Sequence, residues 1–577
     1  MAELTSSAIA LLLVTLGLDK SMFPKQAELN SNTTYDYIIV GGGTAGCVLG
    51  SRLAEDGNST VLILERGEDP PLLSYLSGLF FTLPKTSADY DYSSIFDNYA
   101  ANSQGNYTRL TAGKGLGGSS ILNHLLYARG VPSDYNYWAE ITGEDAWTYD
   151  NILPYFIKSE TVNDEEVLST YPSYHGTSGP LGITRQLHND KVADYLTAFN
   201  ESGTAPVVDL NGDINVGVAQ PLLTIAKGLR QSPAYAYLNR VRNFSNLHVS
   251  RETEVNRIII EDNVAVAVEA TYKDVTYTLR ANKEIILSAG VFNSPKILHL
   301  SGIGPKEHLE ALNITVVADL PVGDNLLVPA ATVVVHKTNK YLLPIPNPAD
   351  LATVANPTQI PVPLLIANIA LNKSSNIPNH QSYNLFFGHD TPFLTLVCTT
   401  VYGFNNEICL DWQKQVVSRD SMCSVIVNLD TTSTGTVRLN TTDPTADPII
   451  DTGIFNNTED LDNMVNNVMD FVKIGETDTF KDKDAAVVGV DLDECADKEY
   501  GTREFWSCYV LHRSISPFLY MGTCPMGTVV DGQLKVKGVD NLRVVDASTF
   551  PKVLHGATNA AVIVLAERAA DMIKNSA

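Results

Sequence analysis

Gly41, Gly43 and Gly46 stand in the stretch Tyr35-Asp-Tyr-Ile-Ile-Val-Gly-Gly-Gly-Thr-Ala-Gly46, a spacing suited to the phosphates of a dinucleotide. Gly41 makes the tight turn, Gly43 lets the backbone approach a pyrophosphate, and Gly46 lets a helix pack on the strand. The phosphates then sit at the helix N-terminus beside Thr44 and Ala45. Glu65 closes the apolar run Val61-Leu-Ile-Leu about 20 residues on, where an acid holds a ribose hydroxyl, with Arg66 next to it. The elements that must position these groups are a buried strand from Tyr35, a helix from Cys47 to Glu55, and a second strand over Val61 to Leu64. The flanking strand, helix and acid distinguish this stretch from an ordinary glycine turn.

Further pieces of the same domain recur far along the chain. A second glycine-rich segment runs Ala112-Gly-Lys-Gly-Leu-Gly-Gly-Ser-Ser-Ile-Leu-Asn123. Strand-like runs follow at Leu247 to Ser250, Val255 to Ile260 and Glu284 to Gly290, the last entering a helix at about Ser294; Asn541 to Asp546 and a helix from Ala560 to Ile573 close the chain. The nucleotide domain is therefore read as discontinuous, comprising residues 35–137, 241–327 and 527–577. Residues 138–240 and 328–526, richer in Pro, Asn and aromatic side chains, are assigned to a substrate domain.

Bulk properties fit this organisation, since 577 residues exceed a single core and call for two domains. A net charge of -25 gives no electrostatic footprint for nucleic acid or anionic membranes. Ala8 to Leu18 is an apolar run too short to span a bilayer, and residues 1–22 are read as a signal peptide. Nine Asn-x-Ser/Thr sequons, at Asn32, Asn58, Asn106, Asn200, Asn243, Asn313, Asn372, Asn440 and Asn456, permit glycosylation of a secreted product. Cys47 and Cys524 are expected to be buried thiols. Cys398, Cys409, Cys423, Cys495 and Cys508 cluster in the C-terminal half, where an oxidising compartment permits bridges, and Cys495–Cys508 is the preferred pair. No Cys/His cluster has zinc spacing, so no metal is implied.

Together these pieces resemble the glucose–methanol–choline family of flavoprotein oxidoreductases, from Tyr35 to Ile573. The family's first signature is recognisable in Gly113-Lys-Gly-Leu-Gly-Gly-Ser-Ser-Ile-Leu-Asn-His-Leu-Leu-Tyr-Ala-Arg-Gly130, and its second in Gly290-Val-Phe-Asn-Ser-Pro-Lys-Ile-Leu-His-Leu-Ser-Gly-Ile-Gly304, with Val291 in place of a smaller residue. The C-terminal Gly-Val-Asp-Asn-Leu-Arg-Val-Val-Asp-Ala-Ser is most similar to glucose-dehydrogenase-type members from arthropods. The resemblance implies an α/β, Rossmann-like FAD-binding domain, an α+β substrate domain with an antiparallel sheet, and oxidation of a small-molecule alcohol with oxygen or another electron acceptor. By motif position, Gly41, Gly43 and Gly46 would hold the pyrophosphate, Glu65 the ribose, and Val255 the adenine. Gly113, Gly118, Ser119 and Asn123 would line the flavin and its phosphates, with Ala289, Asp546 and Ala547 meeting the cofactor. Thr558 and Asn559, at a helix N-terminus, would stabilise charge on the flavin. Members with a covalent histidyl flavin carry His where this chain has Leu122, so FAD is expected to be non-covalent.

Two positions depart from the family pattern. Ser516-Pro-Phe-Leu-Tyr-Met-Gly-Thr-Cys524 and Leu554-His-Gly-Ala-Thr-Asn559 place Leu519 and Ala557 where the family carries His, and His or Asn. These are the positions that accept the alcohol proton and orient the substrate. A positioned base contributes ~10²–10⁴-fold, and its loss is best tolerated by a hydroxyl already acidified by a neighbour. A benzylic cyanohydrin such as mandelonitrile is such an alcohol. His555, Tyr520 and Arg230 are the candidates to replace the base or orient the oxygen. His124 and His512 are expected to be core or surface histidines. A cyanohydrin lyase using FAD structurally would need histidines at positions 519 and 557; a non-catalytic flavoprotein is a third reading, and a light-driven fatty-acid decarboxylase, whose long acyl channel nothing here marks, a remote fourth.

Overall fold

The computed structural model describes residues 22–97, 100, 104–340, 358–360, 362–389 and 393–576. The apolar run Ala8 to Leu18 lies outside them. Strands Thr34–Val40 and Val61–Leu64 pair in parallel, with Ile38 opposite Leu62 and Ile39 opposite Ile63. The run Val-Leu-Ile-Leu is buried throughout, as expected of a parallel strand covered on both faces. Around this pair a seven-stranded sheet has the order Leu247–Ser250, Val61–Leu64, Thr34–Val40, Val275–Leu287, Val264–Tyr272, Thr253–Glu261, and Leu542–Val544 adds in parallel beside Val275–Leu287. Its strands thus come from the start, the middle and the end of the chain.

Helices begin earlier than the sequence pattern placed them. The first runs Thr44–Ala54 rather than Cys47 to Glu55, because Gly43 is itself the extended N-cap. It has no side-chain cap and no acid in its first turn, so its first amides remain available to an anion. The helix after the central strand spans Gly290–Leu300 rather than starting near Ser294; Ser294 Oγ accepts the Ala289 amide at 3.1 Å. The last helix spans Thr558–Ser576, two residues longer at its N-terminus than the apolar pattern indicated. It is tied to the first helix by Arg52, whose Nη2 lies 2.7 Å from the fully buried Glu567; the Tyr237 hydroxyl donates to the same carboxylate at 2.8 Å.

The second sheet is antiparallel and also seven-stranded, in the order Ala486–Val488, Ala331–Lys340, Arg419–Asn428, His380–Phe387, Leu364–Ile369, Gly217–Ala219, with Ser514–Ile515 beside Ala331–Lys340. Side chains alternate across it. Leu364 stands opposite Leu385 and Tyr383 opposite Val425, and all four line the main cavity. Between them Asn384 is buried, donating to Leu365 O at 3.2 Å and accepting from Ser424 Oγ at 2.7 Å.

Cys495 and Cys508 form a disulfide, and Cys398–Cys409 forms a second. Cys47 and Cys524 are buried thiols, and so is Cys423. Cys423 lies in the buried strand Arg419–Asn428, where burial pushes its thiol up to about 12. No helix among the described residues is long and apolar enough to cross a membrane.

Candidate active site

The glycine turn is packed as tightly as a phosphate cradle requires. Gly41 has φ +100°, and a Cβ there would stand 2.4 Å from Ser288 O. On Gly46 it would stand 1.9 Å from Gly41 O, which is why helix and strand can meet only through glycine. The second glycine-rich segment folds directly over the first. Gly117 N donates to Gly42 O at 2.8 Å, and a Cβ on Gly118 would stand 2.9 Å from Gly43 Cα. On Gly113 it would meet Gly118 C at 2.3 Å, and the Gly113 amide donates to Ser119 Oγ at 3.1 Å. Two backbone loops with no side chains between them therefore face one cleft.

Glu65 closes the far side of that cleft, accepting the amides of Gly42 at 2.9 Å and Gly67 at 2.8 Å. Burial raises its carboxyl above the ordinary range against the pull of those amides. Arg66 pairs with Glu254 and lies 5.4 Å above the Tyr90 ring centroid; both residues border the cavity beside Val255. Asp546 is buried and has no free oxygen: Oδ2 accepts from Gly290 N at 2.9 Å and Ser294 Oγ at 2.6 Å, and Oδ1 from Ser548 N at 2.8 Å. It locks the final strand end onto the helix Gly290–Leu300 and holds Ala289 and Ala547 at the cavity wall.

One continuous cavity of about 330 Å³ joins this cleft to the antiparallel sheet. Gly41, Gly43, Thr44, Ala45, Gly113, Gly118, Ser119, Asn123, Thr558 and Asn559 border it, as do Leu519, Tyr520 and Ala557. Gly46 acts one layer back, through packing. At the sheet end the walls are Phe80, Leu364, Tyr383, Val397, Tyr402 and Phe518 among others. These wall residues were not legible in the sequence. They come from five separate segments, and only the period-two pattern within His380–Phe387 hints at a shared face.

Two of the proposed proton-handling residues are elsewhere. His555 does not border this cavity; it lines a separate pocket of about 20 Å³ with Arg129, Asn211 and Gln381. Its Nδ1 lies 2.6 Å from Asp134 Oδ1, and its amide donates to Oδ2 at 3.1 Å. Burial disfavours the imidazolium, but the charge and hydrogen bond of Asp134 outweigh it and raise the ring's pKa. Arg230 is likewise behind the wall. Its Nε donates to Ser74 O at 2.7 Å, and Nη1 to Ser120 O, to Asn123 O and, at 2.6 Å, to Asn123 Oδ1. Among the described residues no carboxylate pairs with it, and burial lowers its pKa to about 9, leaving it cationic at neutral pH. It orients Asn123 rather than a substrate. Tyr520 does reach the cavity, with its phenol held protonated by burial.

His124 belongs to the cavity, not to the core or the surface. It is a wall residue, with its ring edge-on to Phe80 at 5.2 Å and to Phe518 at 5.6 Å. Burial, assisted by the Arg230 charge, lowers its pKa to about 4 and keeps it neutral. Its position directly after Asn123 was the available signal, within the otherwise apolar run Ile121-Leu-Asn-His-Leu-Leu126.

A glycine-lined cleft with the buried Glu65 at one end, opening onto an apolar chamber, is the layout of a dinucleotide-dependent oxidoreductase. GMC oxidoreductase family models match residues 35–330 and 431–566, and the chain belongs to that family. Its cofactor is FAD and it acts on CH–OH donors. An ecdysone oxidase of Bombyx mori is 36% identical over 99% of this chain and 86% of its own length. A glucose dehydrogenase [FAD, quinone] of Drosophila melanogaster is 29% identical over 94% of this chain and 87% of its own. Among solved structures, the pyridoxine 4-oxidase of Mesorbium loti superposes with a TM-score of 0.78 at 26% identity, covering 93% of this chain and 98% of that one. The residues present fit FAD: the two glycine loops leave a cradle that any Cβ would fill, and the adjoining helix N-terminus has no competing acid.

Proposed function

We propose that this chain is a secreted alcohol oxidase whose substrate is an aromatic alcohol with an acidified hydroxyl, a mandelonitrile-like cyanohydrin being the best fit. One observation carries the reading: Leu519 and Ala557 border the chamber together with aromatic and aliphatic walls, at positions where the family pattern has polar proton-handling residues. An aryl ring placed there gains roughly 25 cal/mol per Å² of apolar surface removed from water. The nitrile acidifies the hydroxyl, so the reaction asks less of a base. FAD, held non-covalently beside Leu122, supplies the acceptor for the carbinol hydride, and oxygen takes the electrons onward. The protein's own part is to bury the ring, exclude water and fix the carbinol carbon against the flavin through Asn123, Thr558 and Asn559.

Secretion is supported by the two disulfides and by the sequons, of which all but the half-buried Asn106 are exposed. Loss of mass on deglycosylation of the native product is the expected result.

Anaerobic mixing with a panel of alcohols, watched as bleaching of the flavin, tests the substrate. Racemic mandelonitrile should bleach it faster than benzyl alcohol, and both faster than glucose. A second reading rests on the ecdysone oxidase relative: ecdysone belongs in the same panel, and bleaching by it in preference to every aryl alcohol would replace the cyanohydrin reading. Failure of every alcohol would leave a non-catalytic flavoprotein.

A further inference from the structure

We propose that His124 is the catalytic proton acceptor of this site and takes the position in the chemistry that Leu519 and Ala557 leave empty. The inference rests on the reading of the site as an alcohol oxidase, whichever alcohol it serves. Three observations converge on this residue.

The first is placement. His124 follows Asn123 on the segment that folds over the first glycine turn, and its ring packs edge-on against Phe518, the neighbour of Leu519. It thus lies at the chamber end of the cavity, beside the position from which the usual histidine is missing.

The second is availability. Among the described residues no protein group hydrogen-bonds either nitrogen of the His124 ring, and the ring borders the cavity. His555, by contrast, is committed to Asp134. A neutral imidazole always carries one unprotonated nitrogen, so the ring can accept from a hydroxyl without first losing a proton.

The third is elimination. The carboxylates bordering the cavity are Glu65, Glu254 and Asp546. All three are engaged at the nucleotide end, with the Gly42 and Gly67 amides, with Arg66, and with Gly290, Ser294 and Ser548. The other titratable or charged groups bordering the cavity are Arg66, Tyr90 and Lys296 at the nucleotide end, where Lys296 donates to Pro444 O at 2.6 Å, and the phenols of Tyr383, Tyr402 and Tyr520, with Arg230 behind the wall. Burial raises all three phenols, so each can donate a hydrogen bond but none serves as a base.

In the reaction the O–H proton passes to the unprotonated nitrogen of His124 and the carbinol hydrogen leaves with its electron pair to FAD. A carbon–oxygen double bond forms, the alcohol is oxidised by two electrons, FAD is reduced by two, and one proton remains on the imidazole for release. A hydroxyl that is already acidic asks less of a ring made weakly basic by its surroundings than a plain alcohol does.

The test uses the flavin-loaded enzyme and whichever alcohol bleaches the wild type fastest, so that a wrong substrate assignment does not count against His124. His124→Gln and His124→Phe are compared with wild type by stopped-flow flavin reduction across pH 3.5 to 8. The expected result is a loss of ~10²-fold or more in the reduction rate for both variants, larger for benzyl alcohol than for a cyanohydrin, with flavin content unchanged. The wild-type rate should also fall as pH drops through about 4, and that limb should vanish in His124→Gln. A variant with bound flavin that keeps its rate within about threefold, or that retains the acid limb, overturns the proposal. If one variant fails to bind flavin, the other decides.

Discussion

Nδ1 of His555 lies 2.6 Å from Oδ1 of Asp134, and Oδ2 of the same carboxylate accepts the His555 amide and, at 2.9 Å, the amide of Val131. One buried acid thus fixes the approach to the last helix from both backbone and side chain. His555→Ala removes the ring contact but leaves the two amides. It should lower stability by about 1–3 kcal/mol, read as a fall in Tm, and change the flavin reduction rate by less than about threefold. A hundredfold loss of rate with intact flavin would restore His555 to the reaction.

Arg230 satisfies the carbonyls of Ser74, Ser120 and Asn123 and aims the Asn123 amide group. Replacement by Met orphans three buried acceptors, each costing about 1–3 kcal/mol. Arg230→Met should therefore purify with less flavin per polypeptide than wild type, by the ratio of visible to ultraviolet absorbance. Arg230→Lys should recover part of the flavin, since one ammonium cannot reach every acceptor at once.

His336 is fully buried against Phe471 and Phe480 with neither ring nitrogen hydrogen-bonded, and burial lowers its pKa to about 4. The unfolded chain binds a proton there from about pH 6.5 downward, while the folded chain refuses it until about 4. Stability is therefore complete above 6.5 and is lost as pH falls between those values, by up to about 3 kcal/mol from this residue. Urea midpoints measured across that window should shift less in His336→Phe than in wild type.

The Cys398–Cys409 bridge joins helices Phe393–Thr400 and Asn406–Gln415, and the first of these carries Val397 to the chamber wall. Denatured protein kept unreduced should titrate three thiols, and reduced protein all seven. Replacing both cysteines by Ser should cost about 2–4 kcal/mol and raise KM for the alcohol more than it lowers kcat. An unchanged KM would show that the bridge does not shape the chamber.

The nucleotide half was readable in the sequence because its chemistry is local. A glycine that must reach φ +100° at position 41, or approach another backbone at position 118, admits almost no substitute, so residue type alone reveals geometry. Glu65 was read from its place at the end of an apolar strand and Asp546 from the family resemblance, and both border the cavity. The chamber was not. Leu364, Tyr383, Leu385 and Val425 share a face only because three antiparallel strands are in register, and many apolar residues would serve equally in each place. Two of the three proton-handling candidates lie elsewhere for a different reason. His555 was placed by its nearness in sequence to Ala557, but a side chain two residues away in a loop can point into a separate pocket, and here Asp134 draws it there. His124 was read as a core or surface histidine, yet the ring borders the cavity.

The anchoring of the first helix to the last through Arg52, Glu567 and Tyr237, with Leu542–Val544 completing the parallel sheet, imposes an order of events on biosynthesis. Glycine loops that emerge from the ribosome within the first fifth of the chain must wait for its final segment before their domain can close. At about 5–20 residues per second that interval spans tens of seconds, within which every strand of the antiparallel sheet, from Gly217–Ala219 to Ser514–Ile515, is synthesised. Ribosome-bound nascent chains should therefore carry no flavin, and the released chain should acquire it.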